Sequence, residues 1–298
     1  MRTIVKSSKL LMLILAAAMT VQTHAQEEAK SKKDGDIDSE ITNARLRAES
    51  GSKSPFSFSL SVGYSGGSIT DPFDAERPNI YGNPEEQTAT SIDGSFSARY
   101  RFSKNDSISL GAGFALYDPW GHSVADVSNP YIGYSRVYKL GIFQTISAVD
   151  YTHGTDDYWD VQNISGVVGL SHNMMASIKD TGFTLGVSIG FNQYLYEGLA
   201  ENGTPKSAQT NYSVGLYPQL EYVFNDTYSF RTVFGYFNFK NYREDDATKL
   251  TRSYEYQSVG VGISVTRDVY VYPNVQFLMD DIDGDKTNLA ISATINLL

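Results

Sequence analysis

From Pro55 to Leu298 the chain repeats segments of about ten residues in which large apolar side chains alternate with small polar ones. In the segment PFSFSLSVGYSG, for example, Phe56, Phe58 and Leu60 alternate with serines. Because side chains of a strand point to opposite faces with a period of two, each such strand has one apolar face and one polar face. The pattern predicts strands whose apolar face meets lipid and whose polar face lines a closed, hydrated barrel.

Twelve strands are predicted between segments rich in turn-forming residues. They cover residues 55–66, 90–102, 107–117, 129–138, 142–152, 162–174, 182–196, 211–224, 228–240, 254–265, 269–279 and 286–297. The five connections that follow even-numbered strands are short, near residues 103–106, 138–141, 175–181, 225–227 and 266–268. The six that follow odd-numbered strands are longer. A soluble β-sandwich has no reason to keep this alternation.

The even number of strands and the alternating connections are typical of one class, and the chain resembles the bacterial outer-membrane β-barrels. The resemblance implies an all-β fold, a twelve-stranded antiparallel up-and-down transmembrane β-barrel over residues 53–298, with both termini in the periplasm. It also implies contact with outer-membrane lipid, with lipopolysaccharide and with the barrel assembly machinery. The final strand ends on Leu297 and Leu298 where such barrels commonly end on an aromatic residue. The assembly signal is therefore weakened.

Residues 1–25 have the features of a cleaved secretory signal. Arg2, Lys6 and Lys9 precede an apolar run from Leu10 to Met19, and small residues lead to the expected cleavage point. No later segment approaches the roughly 20 apolar residues of a transmembrane helix.

Residues 26–52 are polar and are predicted to be a partly helical periplasmic extension. Ile37, Ile41, Ala44 and Ala48 lie on one stripe of a helix, with Asp36 or Ser39 as its cap. Two interpretations remain open: a helix that docks into or beneath the barrel as a partial plug, and a mobile spacer.

The composition excludes several classes of function. The chain has no cysteine, which rules out disulfides and cysteine-based sites. Its formal net charge is −10, and loss of the signal would make it more acidic, so nucleic-acid binding is not expected.

Charged residues on the polar phase of the strands are the candidate pore-lining residues. They are Asp93, Arg99, Arg101, Glu221 and Arg231. The short turn at residues 225–227 sets Glu221 opposite Arg231 on adjacent strands. These two residues form either a charged constriction or a structural ion pair.

Other positions on the strands are harder to interpret. Arg136 and Asp150 do not fit cleanly on either face. Bulky side chains fall on the inward phase and are expected to narrow the bore: Tyr217, Phe237, Phe239, Tyr270 and Tyr272.

Some outer-membrane barrels are enzymes, and two of their motifs have faint counterparts here. His153 with Asp156, Asp157 and Asp160 is similar to the aspartate and histidine set of omptin proteases, although the surrounding omptin motifs are missing. The outer-membrane phospholipase uses His, Ser and Asn on adjoining strands.

The counterparts of the phospholipase residues are His122 and Ser123, which are adjacent in a loop and poorly placed as a base and nucleophile pair. His172 falls on the lipid-facing phase, where an interfacial ring is the ordinary interpretation.

Asp281, Asp283 and Asp285 have a spacing that suits Ca²⁺, but the full calcium-loop pattern is missing. The sequence predicts no cofactor. The alternative is a Ca²⁺ ion that these aspartates bind loosely at the lipopolysaccharide surface.

The sequence favours a narrow, porin-like channel for small polar solutes. A non-conducting barrel that displays acidic loops, especially residues 67–89 and 241–253, is the second hypothesis. A hydrolase at the rim of the barrel is the third. The sequence leaves the oligomeric state open.

Overall fold

The computed structural model describes residues 41–80, 86–121, 123–252 and 255–297. Its strands are β1 (Phe56–Ser68), β2 (Glu76–Pro78), β3 (Gln87–Ala89), β4 (Ser91–Arg101), β5 (Asp106–Tyr117), β6 (Val124–Leu140), β7 (Phe143–His153), β8 (Ile164–Ser177), β9 (Phe183–Tyr196), β10 (Thr210–Val223), β11 (Tyr228–Gly235), β12 (Phe237–Tyr242), β13 (Thr251–Arg252), β14 (Tyr256–Thr266), β15 (Val269–Leu278) and β16 (Asn288–Leu297). The helices are α1 (Ala44–Glu49) and α2 (Asp157–Val161), with a 3₁₀ turn at Lys206–Ala208. In this part of the chain, neither helix has the length and apolarity that a membrane span requires.

The main sheet closes on itself. Successive barrel strands pair antiparallel, and β16 pairs with β1 to complete the ring. β11 and β12 are two parts of one barrel strand, because both pair with β10. In the described residues the ring therefore has twelve strands, and the predicted twelve-stranded up-and-down barrel is confirmed. Apart from the ring, β2 and β3 form a hairpin, and β13 extends the sheet beside β12.

The two ends of the barrel differ as predicted. At one end, which we call the turn end, β1 begins, β16 ends, and five short turns join the strand pairs β4–β5, β6–β7, β8–β9, β10–β11 and β14–β15. At the other end, the loop end, lie the six longer connections, including the β2–β3 hairpin and α2.

A β-bulge in β6 explains why two residues resisted assignment to a face. The register between β5 and β6 shifts between Gly111 and Gly113, next to Asn129, whose φ of +54° lies in the left-handed region. The bulge reverses the phase of β6 along its length. Toward the turn end Arg136 consequently faces lipid, while Asp150 on β7 pairs with Gly133 and faces the bore.

A second irregularity corrects the predicted lining of the bore. Tyr236 separates β11 from β12 and adds one residue to the strand, so that Phe237 pairs with Leu216 and Phe239 with Val214. Both phenylalanines therefore face outward, and the prediction that they narrow the bore is wrong. Tyr217, Tyr270 and Tyr272 keep the predicted inward phase.

The lipid-facing phase of the barrel strands carries two formally charged residues in the described part of the chain, Asp106 and Arg136. They pair with each other, with Arg136 Nη1 3.3 Å from Asp106 Oδ1. His172 is also on this face and lies 2.6 Å, Nδ1 to Oγ, from Ser147. The charged pair lies near the turn end, where it can reach the polar headgroup layer.

Candidate functional site

The short helix α1 is encoded by local sequence. Its residues ARLRAE are mostly strong helix formers. Asn43 caps its amino end, since Asn43 Oδ1 accepts a hydrogen bond from Leu46 N at 3.1 Å. Gly51 follows the helix with φ of +86°, a conformation that glycine adopts without strain. The cap is thus Asn43, and the predicted caps Asp36 and Ser39 lie outside the described residues.

Residues 41–52, which we call the plug, lie inside the barrel. Ile41 and Leu46 are fully buried in one cluster with three inward side chains of the wall, Val137, Ile146 and Met175. On the opposite side of α1, Ala48 packs against Tyr270 and Tyr272. Because these wall residues come from β6, β7, β8 and β15, the plug contacts strands on both sides of the ring. This segment, which belongs to the predicted extension 26–52, thus lies in the bore.

Four side chains of the wall hold the carboxyl end of α1. Main-chain carbonyl oxygens at this end of a helix lack intrahelical partners and carry partial negative charge. Each of four consecutive oxygens accepts a hydrogen bond from a different side chain: Ala48 O from Asn296 (2.7 Å), Glu49 O from Arg99 (3.1 Å), Ser50 O from Arg101 (3.0 Å) and Gly51 O from Arg267 (2.7 Å). Three guanidinium groups thus neutralise the negative end of the helix.

Acidic and amide side chains hold the amino end of α1. Glu221, which is 2% exposed, accepts a hydrogen bond from Asn43 Nδ2 at 2.7 Å through one carboxylate oxygen and from Ser229 Oγ at 2.6 Å through the other. Gln144 Oε1 accepts from the main-chain N–H of Asn43 at 2.9 Å, and Gln144 Nε2 donates to Thr42 Oγ1, also at 2.9 Å. The wall is therefore negative where the helix end is positive.

The structure gives three of the candidate pore-lining residues a specific task, since Arg99, Arg101 and Glu221 bind the plug. Glu221 and Arg231 are opposite each other in the β10–β11 register, as predicted. Their side chains make no ion pair, however, because Arg231 Nη2 donates to Gln219 at 3.1 Å and its guanidinium lies 4.6 Å over the Tyr272 ring. Asp93 lies apart, toward the loop end, and accepts a hydrogen bond from Ser91 at 3.2 Å.

Several residues that hold the plug carry no signal in the alternating pattern. Arg267 belongs to a tight turn, and Gln144 and Asn296 look like ordinary polar wall positions. Their partners lie far away in sequence, and Asn296, for example, lies 248 positions after Ala48. Only the cap at Asn43 could have been found from sequence, as a polar residue directly before a run of helix formers.

Replacing Leu46 with alanine tests the packing of the plug. Leu46 is fully buried in its cluster, and truncation of such a side chain costs about 2–5 kcal/mol. We expect the amides of residues 44–50 to exchange hydrogen much faster in Leu46→Ala, while the amides of the barrel strands keep their protection. Hydrogen exchange read by mass spectrometry measures both in one sample. Equal protection of residues 44–50 in both proteins would show that this contact does not hold the plug.

Between the plug and the loop end the bore is polar and partly open. Ser61, Ser171, Asn192 and Ser292 point inward on four different strands and are exposed. This region contains two cavities, one of about 340 Å³ lined by β4–β7 and one of about 220 Å³ lined by β9, β10 and β12. A third, of about 550 Å³, lies between the plug and the turns at the turn end.

The loop after β1 covers part of the mouth at the loop end. Ile80 is 1% exposed and Arg77 is 5% exposed, and Pro78 O accepts a hydrogen bond from Asn288 Nδ2 at 2.9 Å. This part of the loop consequently packs against β15 and β16 and does not project as a free epitope.

The loop after β12 is also ordered. Asn241 Nδ2 donates to the carbonyl oxygens of Asp246 and Lys249, both at 2.9 Å. Hydrogen bonds from the main-chain N–H and the hydroxyl of Thr248 lower the pKa of Asp246 below its usual value. This carboxylate therefore stays ionised at neutral pH.

The candidate catalytic residues do not assemble into an active site in the described part of the chain. His153 Nδ1 donates to the carbonyl oxygen of Ser165 at 3.0 Å, whereas Asp156 caps α2 by accepting from Trp159 N at 2.7 Å. No carboxylate contacts the His153 ring within these residues. Ser123 is described, and its proposed partner His122 lies outside the described residues.

The three aspartates proposed for Ca²⁺ are engaged separately. Asp281 pairs with Lys286 at 2.5 Å, Asp285 accepts from Thr70 at 2.5 Å, and Asp283 accepts from the main-chain N–H of Asp285 at 2.9 Å. Among the residues that the structure describes, no three acidic, histidine or cysteine side chains are grouped closely enough to hold a metal ion.

Comparison with solved structures identifies outer-membrane barrels. An outer-membrane channel from Pseudomonas putida F1 is similar with a TM-score of 0.52 and 9% identity, over 83% of this chain and 96% of that one. The NanC porin is similar with a TM-score of 0.43 and 9% identity, over 80% of this chain and 97% of that one. Outer membrane phospholipase A from Escherichia coli is similar with a TM-score of 0.36 and 11% identity, over 81% of this chain and 90% of that one. No protein-family model and no curated protein matches the sequence. The likeness to the Pseudomonas channel establishes the fold, that of an outer-membrane β-barrel, and leaves activity to the site.

Proposed function

We propose that this protein is an outer-membrane channel for small polar solutes whose bore is closed at the turn end by the plug. The observation that carries the proposal is the way the plug is held. Both ends of α1 are held by polar side chains of the wall, and inward serine and asparagine side chains line part of the bore between the plug and the loop end. A barrel that serves only as a scaffold needs no separable segment in a hydrated bore.

The orientation follows from the ends of the barrel. The turn end faces the periplasm and the loop end faces the medium, as the short turns and long loops of outer-membrane barrels do. The bound plug closes the periplasmic half of the bore. Displacement of the plug opens a path across the membrane. Lipid, lipopolysaccharide and the assembly machinery are the partners of such a barrel.

Solute efflux from vesicles tests the proposal. Purified mature protein is reconstituted beside a variant that lacks residues 26–52, and release of neutral sugars of increasing size is followed. The variant is expected to release small sugars and retain large ones, and the complete chain is expected to release them slowly. If neither protein releases any sugar while both show the heat-modifiable mobility of a folded barrel, the barrel does not conduct and the display hypothesis replaces the channel.

A further inference from the structure

The cavity of about 340 Å³ lies in the bore on the loop side of the plug. Both Arg99 and Asp150 border it, and its lining includes the hydroxyl-bearing residues Ser97, Ser109, Tyr131, Ser135 and Thr152. At about 30 Å³ for each molecule of liquid water, it has room for roughly ten waters or a solute of similar size. Of the two cavities named above on this side of the plug, this one has both a carboxylate and a guanidinium in its lining.

Asp150 has no partner in the described protein. Its carboxylate makes no hydrogen bond or ion pair with any described residue, although Asp150 is half-buried. Glycines on both neighbouring strands give it space, since Asp150 pairs with Gly133 and Gly169. A methyl group added at Gly169 would come within 2.7 Å of Asp150 Oδ1. The carboxylate therefore lies against Gly169 in the space that a side chain there would fill, and without a partner it is available to a cation.

Arg99 is only partly satisfied. Its Nη1 donates to Glu49 O at 3.1 Å, whereas its Nε is buried without an acceptor. Arg99 and Asp150 do not contact each other, because no ion pair within 4.0 Å joins them. Opposite charges therefore border the same cavity with a gap between them.

We infer that this cavity binds small zwitterions of the size of an amino acid, with the ammonium group at Asp150 and the carboxylate at Arg99. The hydroxyl groups of the lining supply the remaining hydrogen bonds. Charge-assisted hydrogen bonds at both ends favour a zwitterion over an anion or a cation of the same size, because each singly charged solute leaves one wall charge unpaired. This inference rests on the proposed function only in naming the solute class of the channel.

Equilibrium binding to the detergent-solubilised mature protein tests the inference without any need for conduction. Calorimetric titrations with alanine, lactate and isopropylamine compare a zwitterion, an anion and a cation of similar size. Alanine is expected to bind at least tenfold more tightly than the other two. Equal affinities for the three solutes, or no binding of alanine up to high millimolar concentration, would overturn the inference.

Two asparagine variants locate the site. Asp150→Asn is expected to weaken alanine binding at least tenfold and to tighten lactate binding, because the wall carboxylate that the anion leaves unpaired is gone. The matched control Asp126→Asn removes another inward carboxylate, which does not border the cavity, and is expected to bind alanine as the parent does. Unchanged alanine binding in Asp150→Asn would contradict the assignment. If the barrel binds alanine but never conducts, the zwitterion site stands and the channel function is wrong. If the barrel conducts but does not prefer alanine, the channel function stands and the zwitterion site is wrong.

Discussion

Deleting residues 26–52 is expected to turn a closed barrel into a conducting one, with a rise in mean conductance of roughly tenfold or more in planar bilayers. The plug lies in the turn-end half of the bore, and α1 is joined to the barrel wall by covalent chain only through residues 50–55. Its removal exposes Arg99, Arg101, Arg231 and Arg267 together with a single acidic wall residue that binds the plug, Glu221. The opened pore should therefore pass anions more readily than cations.

Two controls make this result interpretable. The deletion variant must show the heat-modifiable mobility of the complete chain, which establishes that the barrel has formed. Reversal of the expected selectivity, with the open pore preferring cations, would mean that these arginines do not define the constriction. An equal and low conductance of both proteins would mean that the plug does not close the bore.

Replacing Arg99, Arg101 and Arg267 with glutamine is expected to have the second largest effect. Each donates to a main-chain oxygen at the end of α1, and a hydrogen bond from a charged donor contributes about 1.5–3 kcal/mol. These donors are partly exposed, so we take the lower value for each. The plug then loses about 4.5 kcal/mol, which shifts its equilibrium between bound and released states roughly a thousandfold. Single-channel recording is expected to show long open periods that are rare in the parent.

The chain offers a matched control for the loss of three charges. Arg243, Lys249 and Arg252 lie at the loop end and do not contact the plug. Their replacement with glutamine changes the net charge by the same amount and is expected to leave the open fraction at the level of the parent. If both triple variants open equally, the effect comes from net charge and not from release of the helix.

The alternation of apolar and polar side chains was enough to predict the barrel. Lipid on one face of each strand and water on the other impose a period of two on the residue pattern. β9 illustrates this: Phe183 and Leu185 face lipid, and Thr184 and Gly186 face the bore, as their pairing with β8 and β10 requires. The same rule failed locally at Asn129 and Tyr236, where one added residue reverses the phase. At Asn129 a tertiary contact accompanies the bulge, since Asn129 Nδ2 donates a hydrogen bond to Asp156 in the loop between β7 and β8.

The plug could be anticipated only as one of two alternatives. Its helix is short and its apolar residues are few, so nothing in residues 41–52 alone distinguishes a docked helix from a spacer. What fixes it is a set of wall residues spread from Arg99 to Asn296, which the closing of the barrel brings together. For the same reason Arg99, Arg101 and Glu221 were predicted as lining residues, and their contact with a segment of the same chain was not.

A reversible cross-link tests most directly whether the amino-terminal helix closes the bore. In the Arg99, Arg101 and Arg267 triple glutamine variant, Thr42→Cys and Gln144→Cys are added, at side chains that hydrogen-bond at 2.9 Å, and a short reducible bis-thiosulfonate reagent joins them. The parent has no cysteine, so this is the only link that can form. If the plug closes the bore, the barrel is silent while the link is intact, and sustained openings begin in the same bilayer once a reductant cleaves the link. Sustained conductance with the link intact would show that the plug does not close the bore.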